Sequence, residues 1–343
     1  MKPALNERTP EKMARVLITG GAGYVGSHCA KALASAGHKG VVFDSLRSGH
    51  RDFVRWGKLI QGDIRDSNAL DLALTTGQID AVMHFAALAY VGESVTDPNL
   101  YYDNNVHGTR VLLDAMLRHG ISKIVLSSSC AVYGIPSQIP VVETAPINPI
   151  NPYGFTKSVC ERMLYDFECA YDLTSVKLRY FNAAGADPDC DIGEDHTPET
   201  HLIPSVLYAA AGLTPVVKVF GTNYETPDGT AIRDYVHVSD LARAHVLALE
   251  YLLGGGQSVA VNLATGNGVS VQQVVQMVSS HTNTKINVRY CDRRPGDPPV
   301  LIADPNLALE LFGWSAGRSD LETIVTDAWR WHASRHGRQS IRQ

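Results

Sequence analysis

The sequence lacks the cysteine and histidine patterns that mark disulfide-stapled domains and zinc proteins. Its six cysteines, spread over 343 residues, form no CxxC pair and have no regular spacing. Disulfide frameworks need such spacing, so we expect reduced thiols and a cytoplasmic location. The thirteen histidines include no HExxH motif, and the sequence therefore predicts no metal site.

Excess positive charge and long apolar runs are also missing. The 30 lysines and arginines are outnumbered by 35 aspartates and glutamates, for a net charge of −5. A nucleic-acid-binding surface is normally basic, and a membrane span needs roughly 18 apolar residues in a row. Residues 1–14 contain no apolar signal core and are predicted to form a flexible tail. We therefore expect neither nucleic acid nor membrane as a partner.

A glycine-rich segment follows the first predicted strand, residues 16–19. Gly20, Gly23 and Gly26 fit G-x-x-G-x-x-G, and a shifted reading that starts at Gly21 fits G-x-G-x-x-G. Helical periodicity begins directly afterwards. Glycines in this position let the backbone turn tightly and approach a pyrophosphate at a helix N-terminus. We favour a dinucleotide site over a purely structural turn.

Asp44 ends the next predicted strand, residues 40–43, eighteen positions beyond Gly26. A carboxylate there accepts hydrogen bonds from the ribose hydroxyls and repels a 2′-phosphate, which favours NAD. Arg47 is the alternative, since an arginine would suit NADP. We give Asp44 the greater weight.

Strands and helices alternate through the first half of the chain. Further strands are predicted at residues 59–61, 81–87, 124–126 and 175–180, with a long helix over residues 104–116. Such alternation is typical of a doubly wound, parallel α/β sheet of the Rossmann type, whose ligands bind beyond the carboxyl ends of the strands. Three serines, residues 127–129, stand at one such end. Either they are simply polar residues at the end of the strand, or one of them is a hydrogen-bond partner for a reacting oxygen.

Tyr153 and Lys157 lie four residues apart at the start of a predicted helix. Asn151 is a good N-cap and Pro152 suits the first helical position. The same helix face continues through Cys160, Leu164, Phe167 and Tyr171, so the lysine is predicted to lie on an inward-facing stripe. A nearby positive charge lowers the pKa of a phenol, which makes Tyr153 a candidate general base or acid. The alternative is a structural tyrosine and a lysine that extends outward to solvent.

The second half of the chain does not continue the regular alternation of strands and helices. Residues 182–201 are predicted to be a loop, strands are predicted at 216–220, 233–237 and 259–263, and Ser270 with Gln273 forms a capping box. We expect a Rossmann-like domain at residues 15–181. Residues 182–343 are expected to form mainly a smaller substrate lobe that partly returns to the first domain. Arg233 and Arg294 could clamp a diphosphate or be ordinary ion-pair residues.

In combination, these segments resemble the UDP-glucose 4-epimerase family of the extended short-chain dehydrogenase/reductase superfamily. The resemblance covers residues 16 to 331 or so. It rests on the glycine segment, Asp44, H-F-A-A at 84–87, G-E-S-V at 92–95, Y-Y-D-N-N at 101–105, residues 127–134, Tyr153 with Lys157, and R-Y-F-N at 179–182.

The resemblance implies roles for individual residues. It implies that the catalytic residues are Ser129, Tyr153 and Lys157. It implies that NAD is held by Gly20, Gly23, Tyr24, Val25, Gly26, Asp44, Asp63, Ile64, Phe85, Ala86, Ala87, Asn104, Ser127, Tyr153, Lys157 and Tyr180. It implies that a UDP-sugar is held by Ser129, Tyr153, Asn182, Leu202, Phe220, Arg233, Arg294, Asp297 and Leu301.

The resemblance also implies an activity. The expected activity is the interconversion of UDP-glucose and UDP-galactose by transient hydride transfer from C4 to tightly bound NAD. The resemblance also implies a homodimer, formed by helices around residues 102–118 and 152–171. The alternatives are the same chemistry on UDP-xylose and UDP-arabinose or on UDP-N-acetylglucosamine, a net nucleotide-sugar oxidoreductase, and a non-catalytic NAD-sensing protein.

Three positions depart from the better-known bacterial members of that family. Ala89 replaces a lysine, His201 replaces an asparagine, and Lys218 stands near a position that is small in those proteins. The positions after Ser129 are Cys130 and Ala131, whereas dehydratases and decarboxylases of the superfamily place a carboxylate there. We therefore expect epimerisation rather than elimination.

Overall fold

Fourteen strands and eleven α-helices are formed by residues 13–294 and 297–335, the part of the chain that the computed structural model describes. The strands are β1 (Arg15–Thr19), β2 (Lys39–Asp44), β3 (Lys58–Gln61), β4 (Ala81–His84), β5 (Lys123–Ser129), β6 (Thr174–Tyr180), β7 (Asn182–Ala184), β8 (Val217–Phe220), β9 (Ile232–Arg233), β10 (Tyr235–His237), β11 (Val259–Leu263), β12 (Val269–Ser270), β13 (Val288–Cys291) and β14 (Val300–Leu301). The helices are α1 (Tyr24–Ser35), α2 (Ser67–Gly77), α3 (Val91–Thr96), α4 (Pro98–Tyr101), α5 (Gly108–Arg118), α6 (Pro152–Tyr171), α7 (Leu202–Ala210), α8 (Val238–Leu253), α9 (Val271–Thr282), α10 (Asn306–Phe312) and α11 (Leu321–Arg335).

Seven parallel strands form the central sheet in the order β11-β6-β5-β4-β1-β2-β3. The chain builds outward from β1 in one direction through β2 and β3, and in the other through β4, β5 and β6. The strand order therefore reverses between β1 and β4, where sheets of this class bind their ligands. The prediction of a doubly wound parallel sheet is confirmed.

Helices cover both faces of this sheet, which explains why its strands are apolar on both sides. On one face α1, α8 and α10 pack over Val16 and Ile18 of β1. On the other face α2, α5 and α6 pack over Leu17. Each fully buried leucine contributes about 1.5–3 kcal/mol, so this layered core fixes the carboxyl edge of the sheet on which the site is built.

Three small sheets and α7, α9 and α11 make up most of the second half. The small sheets are β7–β10, β12–β9–β14 and β8–β13. The chain also returns to the large sheet, because β11 pairs with β6 and α8 packs on α1. Of the helices in the described residues, none combines the length and apolar character that crossing a membrane requires.

Three predicted boundaries are wrong, one of them at the strand predicted over residues 233–237, which is interrupted at residue 234 and forms β9 and β10 in different sheets. Residues 182–184 were expected in a loop but form β7, which pairs with β10 from residue 235 onwards, a partner that local sequence does not reveal. The fourth strand was expected to reach residue 87 but ends at His84. Phe85 still donates its backbone N–H to the Thr19 carbonyl at 2.8 Å, and the chain then turns away.

The helix that carries Tyr153 and Lys157 begins as predicted. The Asn151 side chain accepts from the Gly154 N–H at 2.8 Å, and Pro152 is the first helical residue. The apolar stripe holds for Cys160 and Leu164, which are buried, but Tyr171 is 55% exposed because the last turn extends past the core. The capping box of Ser270 and Gln273 is also confirmed, at the start of α9.

Candidate active site

The glycine-rich loop and the residues after β4 meet at the point where the strand order reverses. Gly20 has a positive φ of 74°, and a Cβ there would lie 2.6 Å from the Ala86 nitrogen. A Cβ on Gly26 would lie 2.3 Å from the Gly20 carbonyl oxygen. The protein's own packing therefore requires glycine at both positions. Phe85, Ala86 and Ala87 are partly buried, and the backbone of Phe85 and Ala86 lies against Gly20.

Gly23 differs from the other two glycines. Its φ of −85° is ordinary, and an added Cβ would meet only the Gly20 carbonyl oxygen, at 3.3 Å. It is the N-cap of α1, and among the described residues no side chain caps that helix, whose first residues are Tyr24 and Val25. The N–H groups at a helix start favour an anion. These residues therefore fit the pyrophosphate of a dinucleotide.

Asp44 lies buried at the end of β2, beside the glycine loop. One carboxylate oxygen accepts from the Ala22 N–H at 2.9 Å and the other from the Leu46 N–H at 2.8 Å. Burial raises the pKa of Asp44, and the two backbone donors act in the opposite direction. Each oxygen keeps a lone pair that could accept from a ribose hydroxyl. Arg47 is exposed.

Two further predicted cofactor residues follow β3. Asp63 forms a two-pronged ion pair with Arg65, at 2.9 and 2.6 Å, which lowers the pKa of Asp63. Ile64 beside it is buried. Asp63 is therefore held in a fixed position, ionised, at the same edge of the sheet as Asp44.

The serines of β5 face the first turns of α6. Lys157 donates from Nζ to the Ser127 carbonyl at 2.7 Å, and the Ser127 hydroxyl lies 2.5 Å from that of Tyr180. The Ser129 hydroxyl accepts from the Ala131 N–H at 3.1 Å and is hydrogen-bonded to Tyr153. Ser129, Tyr153 and Lys157 are thus brought together beyond the carboxyl end of the central sheet.

The acid–base character of this group differs from the expectation. Burial raises the pKa of Tyr153 to about 12, and the hydrogen bond with Ser129 lowers it only in part. Burial also lowers the pKa of Lys157 to about 8. In the protein without its cofactor, burial therefore outweighs the lowering of the phenol pKa that a neighbouring positive charge was expected to give. Loss of water opposes both charged forms, and the ammonium group is turned to the Ser127 carbonyl.

Glu161 was not identified from the sequence. Its carboxylate accepts from the Ser128 hydroxyl at 2.5 Å and from Arg179 at 2.9 and 2.5 Å. Arg179 also donates to the Tyr133 hydroxyl at 3.0 Å. This buried network joins β5, α6 and β6 directly behind the serines. The signal was present, because Glu161 follows Lys157 by four residues on the buried face of the helix.

Asn105 was also missed, one residue after the predicted cofactor residue Asn104. The segment Tyr102–His107, between α4 and α5, has π-helical geometry, a form that often marks functional sites. Buried Asn105 exchanges two hydrogen bonds with the Leu88 backbone, at 2.8 and 3.0 Å, and donates to the Thr156 hydroxyl at 3.1 Å. Asn104 donates to Asn105 at 3.0 Å. Asn105 therefore connects the loop after β4 to α6.

Five of the predicted sugar-nucleotide residues form one group in the second half of the chain. Arg233 is ion-paired with Asp297, and the Asp297 N–H donates to the Arg294 carbonyl at 3.2 Å. The Arg294 guanidinium lies over the Phe220 ring, 4.1 Å from its centre. Leu301 pairs in register with Arg233 and belongs to the same buried hydrophobic cluster as Cys130 and Phe181, the neighbours of Ser129 and Asn182.

The remaining predicted and divergent positions lie around this group. Asn182 begins β7 opposite Tyr235, and Leu202 opens α7 immediately after its N-cap, His201. Lys218 is exposed on the same strand face as Phe220, two residues earlier. Ala89 is exposed in the loop after β4.

Comparison with known proteins identifies the family. The model of the NAD dependent epimerase/dehydratase family matches residues 16–264. A UDP-glucose 4-epimerase of Rhizobium meliloti (strain 1021) is 50% identical over 321 residues, 94% of this chain and 98% of that protein.

Two solved structures share the fold. The UDP-glucose 4-epimerase of Brucella ovis, in complex with NAD, is 53% identical with a TM-score of 0.90, over 92% of this chain and 97% of that one. The UDP-glucose-4-epimerase of Stenotrophomonas maltophila, with bound NAD and formylated UDP-arabinopyranose, is 42% identical with a TM-score of 0.91, over 94% and 99%. The chain therefore belongs to the NAD dependent epimerase/dehydratase family and, within it, to the UDP-glucose 4-epimerases.

Proposed function

We propose that this protein interconverts UDP-glucose and UDP-galactose, using NAD that stays bound between turnovers. The observation that carries the proposal is the Ser129–Tyr153–Lys157 group beyond the carboxyl ends of the strands, in a chain half identical to UDP-glucose 4-epimerases over nearly its full length. Turnover of UDP-galactose by purified protein without added cofactor tests it. A requirement for stoichiometric NAD would favour a net oxidoreductase instead.

NAD would lie across the edge between β1 and β4. The pyrophosphate would meet the N–H groups of Tyr24 and Val25 beside Gly23, and the ribose hydroxyls would meet Asp44. Asp63 and Ile64 would border the adenine. Asn104, Ser127, Tyr180 and Lys157 would surround the nicotinamide half, near Phe85, Ala86 and Ala87. When bound, NAD would supply the hydride acceptor and donor that reversible oxidation at C4 of the sugar requires.

Tyr153 would act as the base and then the acid of the reaction. The protein's own groups hold its pKa near 12, so the phenol needs a positive charge beyond Lys157, which the oxidised nicotinamide carries. Ser129 would hydrogen-bond the reacting oxygen at C4 and keep it within reach of Tyr153. Lys157, fixed on the Ser127 carbonyl, would bind the nicotinamide ribose and favour the phenolate.

The second half of the chain would hold the UDP part of the substrate while the sugar rotates. Phe220 would stack on the uracil, and Arg233 and Arg294 would bind the diphosphate in bidentate fashion. Asn182, Leu202 and Asp297 would complete the nucleotide pocket. If the nucleotide stays anchored, the 4-keto sugar can rotate about its pyrophosphate linkage and present its opposite face. The absence of a carboxylate at residues 130 and 131 agrees with this chemistry rather than elimination.

The cofactor is predicted to be NAD rather than NADP. A 2′-phosphate would lie against the buried Asp44 carboxylate, whose oxygens are fixed by Ala22 and Leu46. We expect mass spectrometry of the cofactor released from denatured protein to show NAD. Recovery of mainly NADP would instead assign the ribose contact to Arg47.

Leu301 is proposed to limit the substituent at C2 of the sugar. It is 8% exposed and belongs to the buried hydrophobic cluster that includes Phe181 and Cys130, the residue after Ser129. A misfit of a few atoms changes discrimination by about 1–3 kcal/mol, roughly 10–200-fold. We expect UDP-glucose and UDP-galactose to be preferred and UDP-N-acetylglucosamine to be a weak substrate. The pentoses UDP-xylose and UDP-arabinose lack C6 and should fit without a clash, which makes them the second candidate.

A single substitution tests this gate. Leu301→Tyr should abolish N-acetyl turnover and spare glucose and galactose, measured as kcat/KM for each UDP-sugar. Equal N-acetyl turnover in both proteins would show that Leu301 is not the gate.

The homodimer remains a proposal, supported by exposed aromatic residues on the helices expected to form it. Tyr102 and Phe155 are 40% and 46% exposed, with ring centres 6.1 Å apart. Exposed apolar patches often mark protein interfaces. Light scattering at micromolar concentration should give twice the mass of one chain.

A cytoplasmic location likewise stays a prediction, and the six cysteines, all unpaired in the described chain, agree with a reducing compartment.

A further inference from the structure

Two histidines and two glutamates converge in the segment that leads into α7. Glu194 Oε1 lies 3.3 Å from His196 Nδ1 and 2.8 Å from His201 Nδ1. Glu199 approaches the same nitrogens, with Oε1 3.0 Å from His201 and Oε2 3.8 Å from His196. One ligand atom from each side chain lies within 4.8 Å of all the others. Ligands bound tetrahedrally to zinc are about 3.3–3.5 Å apart, so the spacing approaches that of a four-coordinate shell.

Two of these atoms have no hydrogen-bond partner among the described residues. They are His196 Nδ1 and Glu199 Oε2, and both are buried. The Glu199 side chain is only 5% exposed. Its Oε1 accepts from the N–H groups of Thr200 and His201, each at 2.7 Å, which holds the carboxylate in place with Oε2 towards His196. A buried carboxylate oxygen without a donor is unfavourable, so the geometry points to a missing positive ligand.

A neighbouring acidic cluster shows the contrast. Asp187, Asp189 and Asp191 also converge, but their oxygens surround Lys31 Nζ at 2.7, 2.8 and 3.0 Å. That cluster already has its cation. Among the residues that the structure describes, the groups beside the Glu194 and Glu199 carboxylates that could carry a positive charge are the imidazole rings of His196 and His201.

We propose that Glu194, His196, Glu199 and His201 bind a divalent cation of the zinc class. The ligands would be Nδ1 of each histidine and one carboxylate oxygen of each glutamate. Two imidazoles favour zinc and its neighbours over magnesium or calcium, and the lack of a thiolate argues against copper(I). Four protein ligands would make a closed, structural site rather than a catalytic one.

The cation would stabilise the segment between the two halves of the proposed active site. The His196 ring packs edge-on against Tyr24, 6.3 Å away, and the Tyr24 hydroxyl donates to the Gly185 carbonyl at 2.6 Å. His201 immediately precedes Leu202, the first residue of α7. The site would therefore connect the glycine-rich loop to the nucleotide pocket without contributing to the reaction itself.

Calorimetric titration with zinc alone tests the proposal on untagged, chelator-treated holoenzyme. We expect one ion per chain with a dissociation constant of about 1 µM or tighter. His196→Gln and Glu199→Gln should each weaken binding by at least about a hundredfold, more than loss of an outer-shell partner does. Asp189→Asn is the matched control, since it removes a carboxylate from the same segment and should bind zinc as the unaltered protein does.

A measurement on the unaltered chain makes the test independent of how the variants fold. Zinc should raise the thermal unfolding midpoint of the chelator-treated protein, because an ion that binds only the folded state stabilises it. No saturable binding up to about 100 µM zinc, or equal losses in Asp189→Asn and Glu199→Gln, would overturn the proposal and leave a proton-held ion-pair cluster.

Discussion

Tyr153→Phe should remove nearly all epimerase turnover while NAD and UDP-sugar stay bound. The substitution deletes only the hydroxyl that is hydrogen-bonded to Ser129, so the pocket keeps its shape. General acid–base catalysis typically contributes about two to four powers of ten, and here the proton must leave the 4-hydroxyl for the hydride to transfer. The measurement is kcat for UDP-galactose, with dissociation constants for UDP in the same preparation.

Tyr133→Phe is the control for this substitution. It also removes a buried tyrosine hydroxyl, one that donates to Asn262 at 2.7 Å and accepts from Arg179 at 3.0 Å. It should retain far more activity than Tyr153→Phe. Near-normal turnover in Tyr153→Phe would contradict the assignment of Tyr153 as the acid–base residue.

Glu161→Gln should destabilise the protein strongly, although Glu161 lies behind the proposed catalytic group. The substitution leaves the Arg179 guanidinium, whose side chain is 7% exposed, without its charged partner. Removing one partner of a buried ion pair costs about 3–5 kcal/mol. We expect a large fall in the thermal unfolding midpoint, together with a lower kcat, because Ser128 and the adjoining Ser129 lose their support from α6.

Two further variants separate the causes. Arg162 follows Glu161 in α6 and forms an exposed ion pair with Asp166. Arg162→Gln breaks this pair and should change the thermal unfolding midpoint little, since exposed pairs contribute about 0–1 kcal/mol. The double variant Glu161→Leu with Arg179→Leu should recover part of the lost stability, because apolar replacements for a buried pair are often neutral. A Glu161→Gln protein as stable as Arg162→Gln would contradict this account of the network.

Features encoded by neighbouring residues were predictable from the sequence. The turn through Gly20 and Gly26, the carboxylate after β2, and the cap at Asn151 each depend on residues within a few positions of one another. The order of strands and helices followed from the same local periodicity. Asp44 accordingly ends β2, and Lys157 lies in the second turn of α6.

Features that depend on distant partners were not predictable in this way. Strand β7 exists because β10 pairs with it. The ion pair of Arg233 with Asp297 joins residues 64 positions apart. The pKa of Tyr153 depends on how much water the folded chain removes from the phenol, and this burial is the largest influence on it. Glu161 is the intermediate case, since its helical position was visible but its partner Arg179 was not.

Transfer of an isotopic label tests the central claim most directly. Purified protein, with no added cofactor, is given UDP-galactose that carries deuterium at C4, and the UDP-glucose formed is analysed by mass spectrometry and NMR. The proposed mechanism predicts that the deuterium remains at C4 in every product molecule, because the hydride is held on the bound cofactor and returned to the opposite face. Exchange of the label with solvent, or accumulation of a released keto sugar, would contradict the mechanism.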